Sequence, residues 1–144
     1  MRTIAASWVN GHLEVIDQTK LPLIETTVEL THLTHYVKAI RMMQVRGAPL
    51  IGIVAAFGVA QEALLAKALS PVAFQRRVSK AVSALSATRP TAVNLFWALE
   101  KQREVLAAYG DKPSTCATKM LETAKVIKSA QVAAERKMAE AALA

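Results

Sequence analysis

The spacing of apolar residues divides the chain into two unlike parts. In the first, Ile4 to Val9 and His12 to Ile16 are short, extended-looking stretches joined by Asn10-Gly11. Both residues of that pair tolerate positive φ, which a two-residue hairpin turn requires. Ile24 to Val28, rich in β-branched residues and placed after Pro22, is read as a third strand of a small antiparallel sheet. From residue 31 the period becomes helical. Leu33, Tyr36, Val37, Ile40 and Met43 recur at spacings of three and four, predicting an amphipathic helix over 31–44 with Thr31 or Thr34 as N-cap. Val45-Arg46-Gly47-Ala48-Pro49 interrupts it. A helix from Pro49 to about Leu69 follows, apolar nearly all round at first and therefore central.

Ser70-Pro71 restarts a helix with Phe74, Val78, Val82 and Leu85 on one face. After a break at Thr88-Arg89-Pro90-Thr91, Leu95, Leu99 and Leu106 mark a helix over 91–108, with Glu100, Arg103 and Glu104 on its other side. A turn at Tyr109-Gly110-Asp111-Lys112-Pro113 leads into a last helix, which begins near Ser114 and directs Met120, Ala124, Ile127, Ala134 and Met138 inward. The expected fold is mainly α: a helical bundle over 31–144 carrying a small antiparallel β segment over 1–30. From Ala133 to Ala144 there is no glycine, proline or turn cluster to stop the helix. That ending suggests a downstream domain, with an alanine-rich terminal helix that frays as the alternative.

Composition narrows the class. With 144 residues the chain suits one domain, and 53% hydrophobic residues exclude a disordered chain. Aromatics make up only 5%, so aliphatic and alanine packing must build the core. The apolar run from Pro49 to Gln61 is too short for a membrane span, which needs roughly 20 residues, and no signal peptide is visible. One cysteine, Cys116, allows no internal disulfide, and a cytoplasmic setting is expected. Lys plus Arg exceeds Asp plus Glu by 18 to 11, giving a charge of +7, but the excess is thinly spread. Its longest cluster, Arg76-Arg77 with Lys80, reads as a solvated helix face. Neither nucleic acid nor a membrane is an expected partner.

Two segments share one physical design. In Val45-Arg46-Gly47-Ala48-Pro49, an arginine and a glycine lead into a proline at a helix start, and in Thr88-Arg89-Pro90-Thr91 an arginine again precedes a helix. Unpaired N–H groups and the positive end of the helix dipole make each start an anion site. Gly47 lets an anion approach the backbone, while Arg46 and Arg89 add planar charged forks suited to phosphate. Converging, the loops would hold a phosphomonoester; taken singly, each reads first as an ordinary helix connection with a surface arginine.

Other candidates are weaker. His32 and His35 stand at i, i+3 without a third ligand, so no metal is expected there. Cys116, with no histidine nearby in sequence, reads as a small buried hydrophobe. Gly52 and Gly58 read as close-packing positions, since no G-x-G-x-x-G pattern is present and no cofactor is implied. Glu14 and Asp17 are read as an exposed strand and turn rather than an acid–base pair.

Longer stretches carry a resemblance. Gly11-His12-Leu13-Glu14-Val15-Ile16-Asp17-Gln18 with Leu21-Pro22, Ala39 through Gly52, and Thr88-Arg89-Pro90-Thr91-Ala92-Val93-Asn94-Leu95 resemble the methylthioribose-1-phosphate isomerase family, in order, from near the start to at least Leu106. That family lies in a wider group with regulatory subunits of the exchange factor of eukaryotic translation initiation. The resemblance implies an N-terminal helical domain followed by a Rossmann-like catalytic domain, and an aldose–ketose isomerisation in methionine salvage. It places Arg46, Gly47, Ala48 and Arg89 at the substrate, around the phosphate. It also implies a catalytic cysteine in a Thr-x-Cys-Asn stretch and a later aspartate, and neither stretch occurs here; Cys116 in Ser114-Thr115-Cys116-Ala117-Thr118 does not inherit the role. The chain therefore reads as an N-terminal domain without a catalytic residue of its own. Expected partners are a sugar phosphate, the missing C-terminal domain or a partner chain, and further copies of itself. The alternative is a non-enzymatic regulatory or sugar-phosphate-sensing module.

Overall fold

The computed structural model describes residues 6–143. Three strands, β1 (Ala6–Val9), β2 (His12–Ile16) and β3 (Thr27–Leu30), form an antiparallel sheet in the order β1-β2-β3. Asn10 and Gly11 sit at φ 53° and 81°, the turn that the dipeptide predicts, and Val9 pairs with His12 across it. Ile4 and Ala5, placed in the first strand from sequence, lie outside the described residues.

The third strand is a correction: it begins at Thr27, not Ile24. The register explains the shift, because Leu30 faces Leu13 and Val28 faces Val15, putting all four on the side turned to the bundle. Ile24 instead donates its N–H to Lys20 in a turn and stays exposed. Burial of alternate residues decides a strand's register, whatever the local β-propensity.

Five helices follow: α1 (Leu33–Arg41), α2 (Ala48–Ala66), α3 (Pro71–Ser86), α4 (Val93–Tyr109) and α5 (Pro113–Leu143). The bundle is built around α2, which packs against each of the other four and against β2. By length and composition α2 could cross a membrane, but 78% of its most apolar stretch is buried, so it is the core helix that its sequence predicts. Phe74, Val78, Val82 and Leu85 of α3 and Leu95 and Leu99 of α4 turn inward as expected. Trp8 stacks on Phe57, ring centroids 5.4 Å apart, and fastens the sheet to α2.

Two helix details differ from expectation. α1 is capped by neither threonine: His32 is its N-cap, and the His35 ring accepts the Thr31 N–H at 3.1 Å. On α5, Met120 and Ala124 are buried and Ile127 half-buried, but Ala134 and Met138 are exposed, Met138 by 70%. The apolar stripe continues along α5 beyond the part that the other described helices cover.

Candidate functional site

The start of α2 is shaped by the loop before it. α1 ends at Met42 and Met43, the latter in the left-handed region at φ 60°, and the chain folds back so that Val45 donates its N–H to the Ala39 carbonyl at 3.2 Å. Gly47 then adopts φ 92°, ψ 130°, a conformation largely closed to residues with a β-carbon. A β-carbon there would meet nothing within 4 Å, so the backbone angle alone demands glycine. Ala48 opens the helix, Pro49 follows, and no side chain caps the start. First-turn N–H groups have no partner inside a helix, and the positive end of its dipole lies with them. Arg46 is exposed; its guanidinium lies across the loop, 3.5 Å from the carbonyls of Met43 and Gln18.

Asp17 holds this loop from the other side. It is 5% exposed, not on an exposed turn as the sequence suggests, because its carboxylate accepts from the N–H and hydroxyl of Thr19 and from Gln44 Nε2. The Thr19 hydroxyl bond is the main cause that keeps its pKa below the ordinary 3.8, against the opposing effect of burial. The Gln18 N–H reaches the Gln44 carbonyl at 2.9 Å, so the two loops move as one unit.

The second arginine is presented differently. Arg89 is half-buried, and its carbonyl accepts the Ala92 N–H at 3.0 Å to close a turn. Pro90 lies inside that turn and outside α4, whereas Pro49 is in the first turn of α2, one residue after the first helical position that the sequence assigns to it. α4 opens at Val93 with Ala92 as an extended N-cap, again with no side-chain cap.

The two starts lie at the same end of the bundle. A β-carbon on Gly52, one turn into α2, would come 2.9 Å from the Asn94 carbonyl oxygen at the head of α4. Further along, Gln102 of α4 donates to the Ala56 carbonyl of α2 at 2.9 Å, so the helices run in the same direction. Gly52 is thus the close-packing position its sequence context suggests, and so is Gly58, against Tyr36 and Leu85. A shallow cleft of about 150 Å³ opens beside the pair, lined by Pro49, Gly52, Asn94, Trp97, Ile127 and Gln131 among others. Val93 and Trp97 stand out from α4 beside it, Trp97 53% exposed. Asn94 and Trp97 escaped the sequence reading; an aromatic residue one turn past a helix start was the available signal.

The remaining candidates resolve into structure. Cys116 is buried, with burial pushing its thiol up to about 11, so it is no nucleophile at neutral pH. His32 and His35 pack edge to face with centroids 5.5 Å apart. Arg76 and Lys80 are exposed, but Arg77 is not simply solvated: its Nε donates to buried Glu62 at 3.0 Å, and the other Glu62 oxygen accepts the Leu33 N–H at the head of α1. A larger cleft, about 620 Å³, lies at the far end of α4 around Gln75, Ser83, Arg103 and Asp111, away from both helix starts.

The description "Initiation factor 2 subunit family" matches residues 44–144. The chain belongs to that family. Within it, the methylthioribose-1-phosphate isomerase of Heliobacterium modesticaldum is 48% identical over 99 residues, 69% of this chain and 29% of that protein. The isomerase of Methylococcus capsulatus is 41% identical over 136 residues, 94% of this chain and 38% of its own length. Two solved family structures superpose well. 5-methylthioribose 1-phosphate isomerase from Pyrococcus horikoshii gives a TM-score of 0.82 at 33% identity, covering 86% of this chain and 35% of that one. Translation initiation factor eIF-2B subunit delta from A. fulgidus gives 0.83 at 30% identity, covering 91% and 38%. The chain thus spans about a third of the length of the family members it matches.

Proposed function

We propose that this chain is the N-terminal part of a methylthioribose-1-phosphate isomerase, and that the starts of α2 and α4 hold the substrate's phosphate through Arg46, Gly47, Ala48 and Arg89. One observation carries the reading: two helices start uncapped at the same end of the bundle, each preceded by an arginine loop. The identity to named isomerases supports the substrate class.

The chemistry divides the labour. An aldose phosphorylated on its anomeric oxygen cannot open its ring as a free sugar does, so ring opening must be assisted before hydrogen moves between C1 and C2. That transfer needs a positioned acid and base. Around the two helix starts the described residues offer cations, amides and a buried Asp17 engaged by Thr19 and Gln44, and no free acid–base pair among them. The acid and base come from the remainder of the isomerase, a C-terminal domain or partner chain, which meets the apolar edge at Val93 and Trp97. Where that remainder is absent, the exposed apolar surface invites further copies of the chain to associate.

Phosphate titration of the chain, followed by NMR, is the test. Shifts at the Gly47 and Ala48 amides, lost in Arg46→Ala and Arg89→Ala, are expected with an affinity of roughly millimolar, about −4 kcal/mol, because solvent screens each charge contact to about 1 kcal/mol. Shifts that track Arg76 and Lys80 instead would assign the binding to surface charge and sink the site. The chain alone is expected to show no turnover of methylthioribose 1-phosphate.

A second reading has its own support in the eIF-2B delta superposition: a sensing module that binds sugar phosphate without converting it. Joining the chain to the catalytic part of a relative separates the two, since an isomerase fragment restores turnover and a sensor does not.

A further inference from the structure

We propose that the outer face of the sheet carries a binding site for a first-row divalent cation, represented by Zn²⁺, formed by His12, Glu14 and Glu29. It is separate from the anion site and does not depend on the function proposed above.

The sheet's geometry assembles the three. His12 and Glu14 are two apart on β2 and so project to the same face, opposite to Leu13 and Val15, which enter the core. The β2–β3 register sets Glu14 directly across from Glu29. One donor atom from each of the three residues lies within 4.8 Å of the others.

Two features of this cluster point to a cation. Like charges placed directly opposite on neighbouring strands repel, and among the described residues neither Glu14 nor Glu29 forms an ion pair with a lysine or arginine. Second, His12 Nε2 is shielded from water yet has no hydrogen-bond partner among the described residues; it stops 3.7 Å from Glu29, with 16% of its side chain exposed. Buried polar atoms are rarely left unpaired. A cation between the three would neutralise the carboxylate pair and occupy the imidazole nitrogen together.

The donor set selects the ion. One imidazole nitrogen with two carboxylates suits zinc and its borderline neighbours, whereas magnesium and calcium prefer oxygen alone. Ligand bonds near 2.0–2.2 Å would bring the donors to roughly 3.4 Å apart. The Glu29 side chain is 65% exposed and free to swing inward by that amount. Water completes the coordination. Such an ion would pin β2 to β3 one residue past the hairpin turn.

The test is titration of the chain with zinc chloride, read by NMR of the histidine rings and backbone amides. We expect saturable shifts at the His12 ring and at the amides of Glu14 and Glu29, with no response to magnesium at the same concentration. His12→Gln and Glu29→Gln should each weaken zinc binding by at least about tenfold, the loss seen even for outer partners of a metal. Glu29→Gln alters an exposed, near-isosteric group, so an unchanged helical circular dichroism spectrum separates lost binding from lost fold. His32→Ala with His35→Ala should leave the titration intact. Shifts centred on His32 and His35, undiminished binding in Glu29→Gln, or no saturable response would each overturn the site.

Discussion

The starts of α2 and α3 make an instructive pair. Both carry a proline in the first turn, yet α3 is completed from within: the Ser70 hydroxyl accepts the Ala73 N–H at 3.3 Å. α2 is preceded by a glycine with no side chain to offer and by an arginine that folds across the loop. The same backbone donors exist at both ends. One start is capped by the chain, and the other has no side-chain cap, which leaves room for the phosphate proposed above. With glycine rather than serine at the N-cap, α2 gives up only a few tenths of a kcal/mol, which a bound anion would recover.

The sharpest attack on this comparison is to separate α2 from α4. Gly52→Val drives a branched side chain into the Asn94 carbonyl, and a loss of about 3 kcal/mol in urea unfolding is expected, along with the phosphate shifts. Gly47→Ala comes next. It should cost about 2 kcal/mol through its φ of 92° and abolish phosphate shifts at the α2 start, although nothing crowds the new methyl group. Closing the comparison from the other side, Ala92→Ser supplies α4 with the cap that it lacks. Stability should rise by about 0.5–1 kcal/mol while phosphate binding weakens, a trade that only an anion site predicts. Ser70→Ala is the mirror experiment: about 1 kcal/mol lost, phosphate binding untouched.

The smallest effect concerns pH. Asp17 is held below its ordinary value by Thr19, so the stability it confers is present above about pH 4 and lost as pH falls through its folded value. Acid titration of the Gln44 and Arg46 amides should follow Asp17, and Asp17→Asn should remove that dependence.

What could be read from sequence follows the range of the forces involved. The Asn10-Gly11 turn, the α3 face and the buried α2 are local patterns, visible within a window of one element. The Arg46 loop was legible because an arginine, a glycine and a proline sit together. β3's register, the Gln44 contact to Asp17 and the Glu62 contacts join partners 11 to 29 residues apart, and no local period encodes them. For the same reason Pro90 looked equivalent to Pro49: the tripeptide shows a proline near a helix, but only the Ala92–Arg89 turn shows that the helix has not yet begun. On α5, periodicity continued past the point where there was anything described to pack against.

Gln61 has a consequence for how the molecule breathes. Its Oε1 accepts the buried Tyr36 hydroxyl at 3.0 Å, and its Nε2 donates to the Gly11 carbonyl at 3.2 Å, so a single amide joins α1, α2 and the tip of the hairpin. The hairpin tip would otherwise be the first place to fray. Tied to the middle of the most buried helix, its amides should exchange with solvent only when the bundle itself opens, so β1 and β2 belong to the same cooperative unit as the core. Gln61→Ala would uncouple them, and hairpin exchange would then run ahead of the helices.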